Sequence, residues 1–242
     1  MVDDLSPSVS IIIPVLNESL VIKELLSNVL MHKVQEIIIV DGGSTDDTCE
    51  LVESVQREPG LKNNSAQRIL LLRARTGRAR QMNAGAAVAT SNILLFLHAD
   101  TILPLTAIQN IRTAFSKQKL WGRFNVRLDG HSVLFRMIES NINIRSCITG
   151  MATGDQAIFI PRVLFKVVGA YADIPLMEDI DLCKRLKSIA TPACIQSRVI
   201  TSARRWQKNG IVKTICMMWM LRCLYALGVS PHFLARYYHH AR

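Results

Sequence analysis

The chain has 242 residues and carries 29 Lys and Arg against 19 Asp and Glu, a formal net charge of +10. That length suffices for one large α/β domain with a full core, and no Pro/Ser/Gly-rich or charged linker divides it. The bases are spread along the chain and no run interleaves them with aromatics, so nucleic acid is not an expected partner; a nucleotide diphosphate or an anionic membrane surface would use the same excess.

In chain order, "SVSIIIPV" reads as a buried strand, "ESLVIKELLSNVLM" as a helix with Val21, Leu25, Leu26 and Val29 on one face, and "VQEIIIV" as a second buried strand. Asp46 or Asp47 starts a helix through "TCELVESV", and Pro59–Gln67 is a surface loop. "QRILLLR" makes a third strand, "RARQMNAGAAVA" a helix of small residues and "NILLFLHAD" a fourth strand. Continuous apolar strands alternating with helices predict a mostly parallel sheet covered on both faces. The second half is mixed: "GRFNVRL" a strand, "SVLFRMIESNINIRSCI" a helix, "DQAIFIPR" a strand and turn, and "MEDIDLCKRLK" the start of another helix.

Residues 211–229, "IVKTICMMWMLRCLYALGV", are interrupted by Lys213 and Arg222, so no window reaches the roughly 18–20 apolar residues of a membrane span. The segment predicts a buried terminal helix; a helix lying in the membrane interface, with Trp219 and the Met cluster as support, is the other reading. Six cysteines (Cys49, Cys147, Cys183, Cys194, Cys216 and Cys223) form no CxxC pair and keep no regular spacing, which predicts reduced thiols and neither a zinc site nor a disulfide framework. The first residues, "MVDDLSPS", carry acids where a secretory leader needs a basic and then an apolar run. A cytoplasmic protein is expected, either free or peripheral at the inner face of the membrane.

In parallel α/β sheets ligands sit in the loops after the carboxyl ends of the strands. That places "PVLNE", "DGGSTDD" and "HADT" on one rim. Asp41 precedes Gly42 and Gly43, which permit a sharp turn or a close ligand. Its carboxylate can accept a hydrogen bond from a base N–H such as uracil N3. Ser44, Thr45 or Asp46 can serve as a helix cap, which leaves the acid before the glycines to a ligand. "MEDID" gathers Glu178, Asp179 and Asp181. A helix start enriched in acids is one reading, and Asp181 with Arg185, four apart, is a structural pair. Glu178 and Asp179 point about 100° apart on a helix, so one of them faces a given substrate squarely.

"SIIIPVLNE", "IIIVDGGSTDDT", "GRARQMNAGA", "LLFLHADT" and "MEDIDLCKRL", in that order over roughly residues 9–206, resemble the family 2 glycosyltransferases of GT-A fold. "LHADT", "GRFNVRL", "GDQAIFI" and "RRW" resemble the arsenosugar-biosynthesis subgroup. The resemblance implies one GT-A domain over 1–210, with a nucleotide half at 9–102 and an acceptor half at 103–210, and a helical segment at 211–242 packed on it or at a membrane surface.

It also implies an inverting enzyme using a nucleotide sugar. Pro14, Asn17 and Glu18 would line the base and ribose pocket, with Asp41 on the base, Gly43 in its loop, Arg78 near the nucleotide, and Gln81, Asn83 and Gly85 beneath it. "HADT" departs from the usual Asp-x-Asp: Asp100 is the expected ligand of a divalent cation, Mn²⁺ or Mg²⁺, and His98 takes the first position as a neutral hydrogen-bonding group or a nitrogen ligand. Asp179 matches the base of the acidic pair, Gly154, Asp155 and Gln156 the acceptor-side loop, and Arg204, Arg205 and Trp206 a closing element. Three rivals are a polyprenyl-phosphate sugar transferase, a nucleotidyltransferase, against which "PVLNES" lacks a glycine, and a non-catalytic nucleotide-sugar sensor.

Overall fold

The computed structural model describes residues 6–58 and 67–240; apart from Gln67, the loop expected at Pro59–Gln67 lies outside them. Four strands, β1 (Val9–Val15), β2 (Glu36–Asp41), β3 (Arg68–Arg73) and β4 (Ile93–Phe96), run parallel in the order β3-β2-β1-β4. Helices α1 (Ile22–Leu30), α2 (Thr48–Gln56) and α3 (Arg78–Val88) connect them. The sheet continues as β7 (Phe159–Pro161), β6 (Gly122–Leu128), β8 (Ala193–Thr201) and β5 (Thr101–Ile102). Here β7 is antiparallel to β4 and β6, β8 is parallel to β6, and β5 is antiparallel to β8.

The β-branched runs are continuous because both faces of the sheet are buried. Ile11, Ile13, Ile37 and Ile39 face one cluster with α1 and α4 (Ala107–Ser116), while Ile12, Ile38 and Val40 face another with α3. The small residues of α3 let it lie close to the sheet: a Cβ on Gly85 would stand 2.6 Å from a methyl of Ile12. This brings the start of α3, with Arg78, over the carboxyl ends of β1 and β2.

The fourth strand is shorter than expected. Pairing stops at Phe96, and the Thr101 N–H closes a turn on the His98 carbonyl, so "HAD" is a turn at the rim. Helix α5 (Val133–Thr149) covers β6, and α6 (Arg162–Val167) and α7 (Glu178–Lys187) pack against the second cluster. The elements α4, β5, β8, α6 and α8 (Arg204–Asn209) had no counterpart among the predicted ones.

Two expectations are corrected. Cys147, at the end of α5, and Cys194, in β8, form a disulfide across 47 residues of sequence; the fold lays α5 on β6 beside β8, a proximity no cysteine spacing encodes. The terminal segment is not a buried helix. It forms α8 (Arg204–Asn209), α9 (Ile211–Ala226) and α10 (Pro231–His240), and of α9 only Thr214 and Leu221 are buried. No helix among the described residues is long and apolar enough to cross a membrane.

Candidate active site

The rim is built by three loops locked to one another. Asn17, in left-handed backbone, donates its N–H to the Ser44 hydroxyl (2.9 Å) and accepts from the Thr45 N–H (2.8 Å). The Glu18 N–H donates to Thr48 Oγ1, and the Ser19 N–H to Asp46. Gln81 donates to the carbonyls of both Val15 and Val40 (2.8 Å each), pinning α3 to the ends of β1 and β2. It lies so close that a Cβ on Gly42 would be 2.9 Å from its amide. Pro14 stays in the β1 ladder, paired with Val40.

Asp41 has a local duty that the sequence reading denied it. It accepts N–H bonds from Gly43 and Ser44 at 3.0 Å each, and Gly43 takes φ +97° to allow this. Burial pushes its pKa up, but the hydrogen bonds from Ser44 and Gly43 outweigh that and hold it below the usual carboxylate range. Asp46 supplies the cap, accepting from the Thr48 N–H.

Around Arg78 the chain assembles a charged cluster. Its guanidinium lies 3.4 Å from Glu178, which is 4% exposed. Burial works against the cation, but Glu178, followed by Tyr238, Asp179 and Asp100, more than compensates, so Arg78 stays charged. Asp100 has its pKa raised by burial and then by Asp155. One oxygen of Asp155 is buried with no hydrogen-bond partner among the described residues. Two carboxylates that act electrostatically on each other, one with an unpartnered oxygen, could share a cation, although among the described residues no three His, Cys, Asp or Glu side chains are placed to hold an ion. The protein's two oxygens would then need ligand oxygens to complete a shell, as diphosphates provide for Mg²⁺.

His98 is neutral: burial, then Arg78, holds its pKa well below the usual value. Its buried Nε2 has no partner among the described residues and faces the backbone of Gly154, where a Cβ would come within 2.2 Å. The ring lies against the turn Gly154–Gln156. That turn delivers the Gly154 N–H to Asp179 (2.9 Å), whose other oxygen accepts from Ile180 (2.7 Å). Burial, and next the Glu178 charge, push Asp179 up to about 6.

Other candidate residues have structural work. Asn83 commits both ends of its amide to the Tyr171 backbone. Gln156 is fully buried and bonds Ser146 while completing a capping box with Thr153. Asp181 pairs with Arg185 at 2.6 Å. Trp206 packs near Phe135 and Ile211 on α5 and α9, and Arg204, although exposed, acts electrostatically on Asp100. The Arg205 side chain lies outside the described residues.

Sequence reasoning missed Arg145 on α5, which acts electrostatically on Asp155 and Asp179 and bonds the Met151 carbonyl. Burial, then Arg222, lowers its pKa to about 10. In "NINIRSCI" it looks like any solvated base of a helix.

Comparison with known proteins matches residues 10–160 to the family model for glycosyl transferase family 2. The chain belongs to that family.

Among curated relatives, the chain is 33% identical over 117 residues to the poly-beta-1,6-N-acetyl-D-glucosamine synthase of Staphylococcus aureus (strain COL), covering 46% of this chain and 27% of that protein. It is 29% identical over 116 residues to an uncharacterized glycosyltransferase of Nostoc sp. (strain PCC 7120), covering 47% of this chain and 34% of that one. The chain thus spans about a third or less of those relatives.

Its fold matches S. aureus TarS 1–349 with TM-score 0.62 at 16% identity, over 82% of this chain and 61% of that one. It matches the Pyrobaculum calidifontis mannosyltransferase PcManGT, solved with GDP-Man and Mn²⁺, with TM-score 0.62 at 19% identity, over 90% and 61%. The expected GT-A fold is therefore the fold of this chain. The family match ends at residue 160, so the segment that carries Glu178 and Asp179 is assigned from this chain's own geometry.

Proposed function

We propose that this glycosyltransferase moves a sugar from a UDP-linked donor to an acceptor hydroxyl by direct, inverting displacement. The observation that carries the reading is Asp179: a carboxylate clamped by two N–H groups, raised to about 6 by burial and then Glu178, at the edge of the cluster formed by Arg78, Asp100 and Asp155. Such a group is ionised at neutral pH yet basic enough to accept a proton in a transition state. The acceptor hydroxyl loses its proton to Asp179 as its oxygen bonds the anomeric carbon, and the bond to the diphosphate breaks with the electron pair leaving on phosphate oxygen.

Pro14, Asn17, Glu18 and Asp41 line the base and ribose side of the rim. Asp100 with Asp155 would hold a divalent cation, Mn²⁺ or Mg²⁺, which when bound offsets charge on the leaving diphosphate. Arg78 adds a fixed positive charge there, and Arg204 and Trp206 close the acceptor side. The motif resemblance to arsenosugar-biosynthesis enzymes makes a small soluble glycoside the first acceptor to try. No thiolate role is proposed at the site: burial, then Asp179, pushes the Cys183 thiol up to about 12.

A second reading, transfer to a polyprenyl phosphate, is favoured by one observation: α9 and α10 pack directly on Met177 and Ile180, which flank the two acids. NMR of the product formed from a panel of UDP-sugars, with small alcohols or polyprenyl phosphate as acceptors, tests both readings. The account expects inverted anomeric configuration; retention would refute direct displacement.

A further inference from the structure

We propose that α9 lies on an anionic membrane surface, with its unpartnered face in the lipid and its opposite face forming a wall of the catalytic cleft. Val212, Cys216, Trp219, Met220 and Cys223, with Leu227 just past the helix, are all exposed. At about 100° per residue these six fall within an arc of about 100°. Trp219 is 54% and Leu227 81% exposed. Lys213 and Arg222 lie about 70° and 110° from the midline of that arc, on opposite sides. Apolar side chains flanked on both edges by long bases suit a helix in the plane of the headgroups, where the aliphatic stems stay in apolar surroundings and the charges reach phosphate.

The charge of the whole segment chooses among occupants. From Leu182 to Arg242 there are eleven Lys and Arg and no Asp or Glu. Bases stand side by side at Lys184–Arg185 and Arg204–Arg205, and no acid within the segment offsets any of them. Two copies meeting through this face would bring like charges together, whereas an anionic bilayer complements both the charge and the apolar arc.

The opposite side of α9 is committed to the protein. Leu221, Met217 and Met218 pack with Met177 and Ile180 of the α7 start, and Lys184 of α7 sits 4.7 Å above the Tyr225 ring. One helix diameter, about 10 Å, thus separates the proposed lipid plane from the residues flanking Asp179. Phe233 and Tyr237 of α10, exposed and meeting edge to face with ring centroids 5.1 Å apart, extend the apolar surface. This inference does not depend on the proposed transfer chemistry.

Flotation of the full chain with vesicles of phosphatidylcholine, alone or with about a third phosphatidylglycerol, tests it. The chain is expected to float with the anionic vesicles and not with the neutral ones, and to be released by salt. Lys213→Gln and Arg222→Gln should each weaken binding about fivefold. Trp219→Ser combined with Leu227→Ser should weaken it about tenfold while leaving the UDP-induced thermal shift intact. Equal partition into neutral vesicles, no partition, or unchanged binding by the Ser pair would overturn the proposal. So would a dimer in solution that the same pair converts to monomer.

Discussion

Replacing Asp179 by Asn separates a catalytic base from an acid that merely starts a helix. A carboxylate raised from 3.8 to about 6 by burial and then by Glu178 is a folding liability wherever it must ionise. The sign follows from proton binding. Between pH 4 and 6 the unfolded chain has lost this proton while the native state keeps it. The group's stabilising contribution is therefore full below the unfolded pKa and is lost as pH rises through the folded one. At about 1.4 kcal/mol per pKa unit, wild type should lose about 2 kcal/mol relative to Asp179→Asn between pH 4 and pH 8, nearly all of it below pH 7. Asn also meets one of the two N–H donors with an NH₂ group, which offsets the whole difference by a constant and leaves its pH dependence unchanged.

Urea denaturation of both proteins at four or five pH values reads this directly. Turnover should fall by about 10²–10⁴ in the variant, and the acid limb of wild-type kcat/KM should lie near the raised pKa. A stability difference independent of pH, or a variant with full activity, would refute the base assignment.

Gly154→Ala should place a methyl group within 2.2 Å of His98 Nε2 and displace the turn that feeds Asp179. Turnover is expected to fall at least about 100-fold, with recovery of the melting temperature in the Gly154→Ala/His98→Ala double variant; no recovery would show that His98 does not prop the turn. Cys194→Ser removes a crosslink closing 47 residues and should lower stability by at most about 4 kcal/mol, as should reduction of wild type. Identical melting curves for oxidised, reduced and Ser forms would contradict it.

The first half of the chain was legible because its signals are local: β-branched runs buried on both faces, small residues where α3 meets the sheet, and glycines at the turns. The charged cluster was partly legible. Asp100, Asp155 and Asp179 stand in recognisable motifs, but that Gly154 presents its N–H to Asp179 depends on a contact 25 residues away. Asn83 and Gln156 look like ligand-binding amides in sequence and prove to satisfy backbone or buried hydroxyl groups, because composition does not say which neighbour an amide meets. Arg145, the Cys147–Cys194 bridge and β8 were invisible for the same reason: each is defined by elements brought together only in the folded chain. That no acid follows Asp181 was open to inspection in the sequence.

The proposed chemistry requires Asp100 and its neighbours to hold a diphosphate together with a cation. Thermal shifts of wild type and Asp100→Asn with UDP, Mn²⁺ and both together measure it most directly, because a ligand that binds the native state raises its apparent stability. The account predicts a shift with UDP and Mn²⁺ together that exceeds the sum of the separate shifts, and loss of that excess in Asp100→Asn. Equal shifts with and without Mn²⁺, or an undiminished excess in the variant, would contradict it.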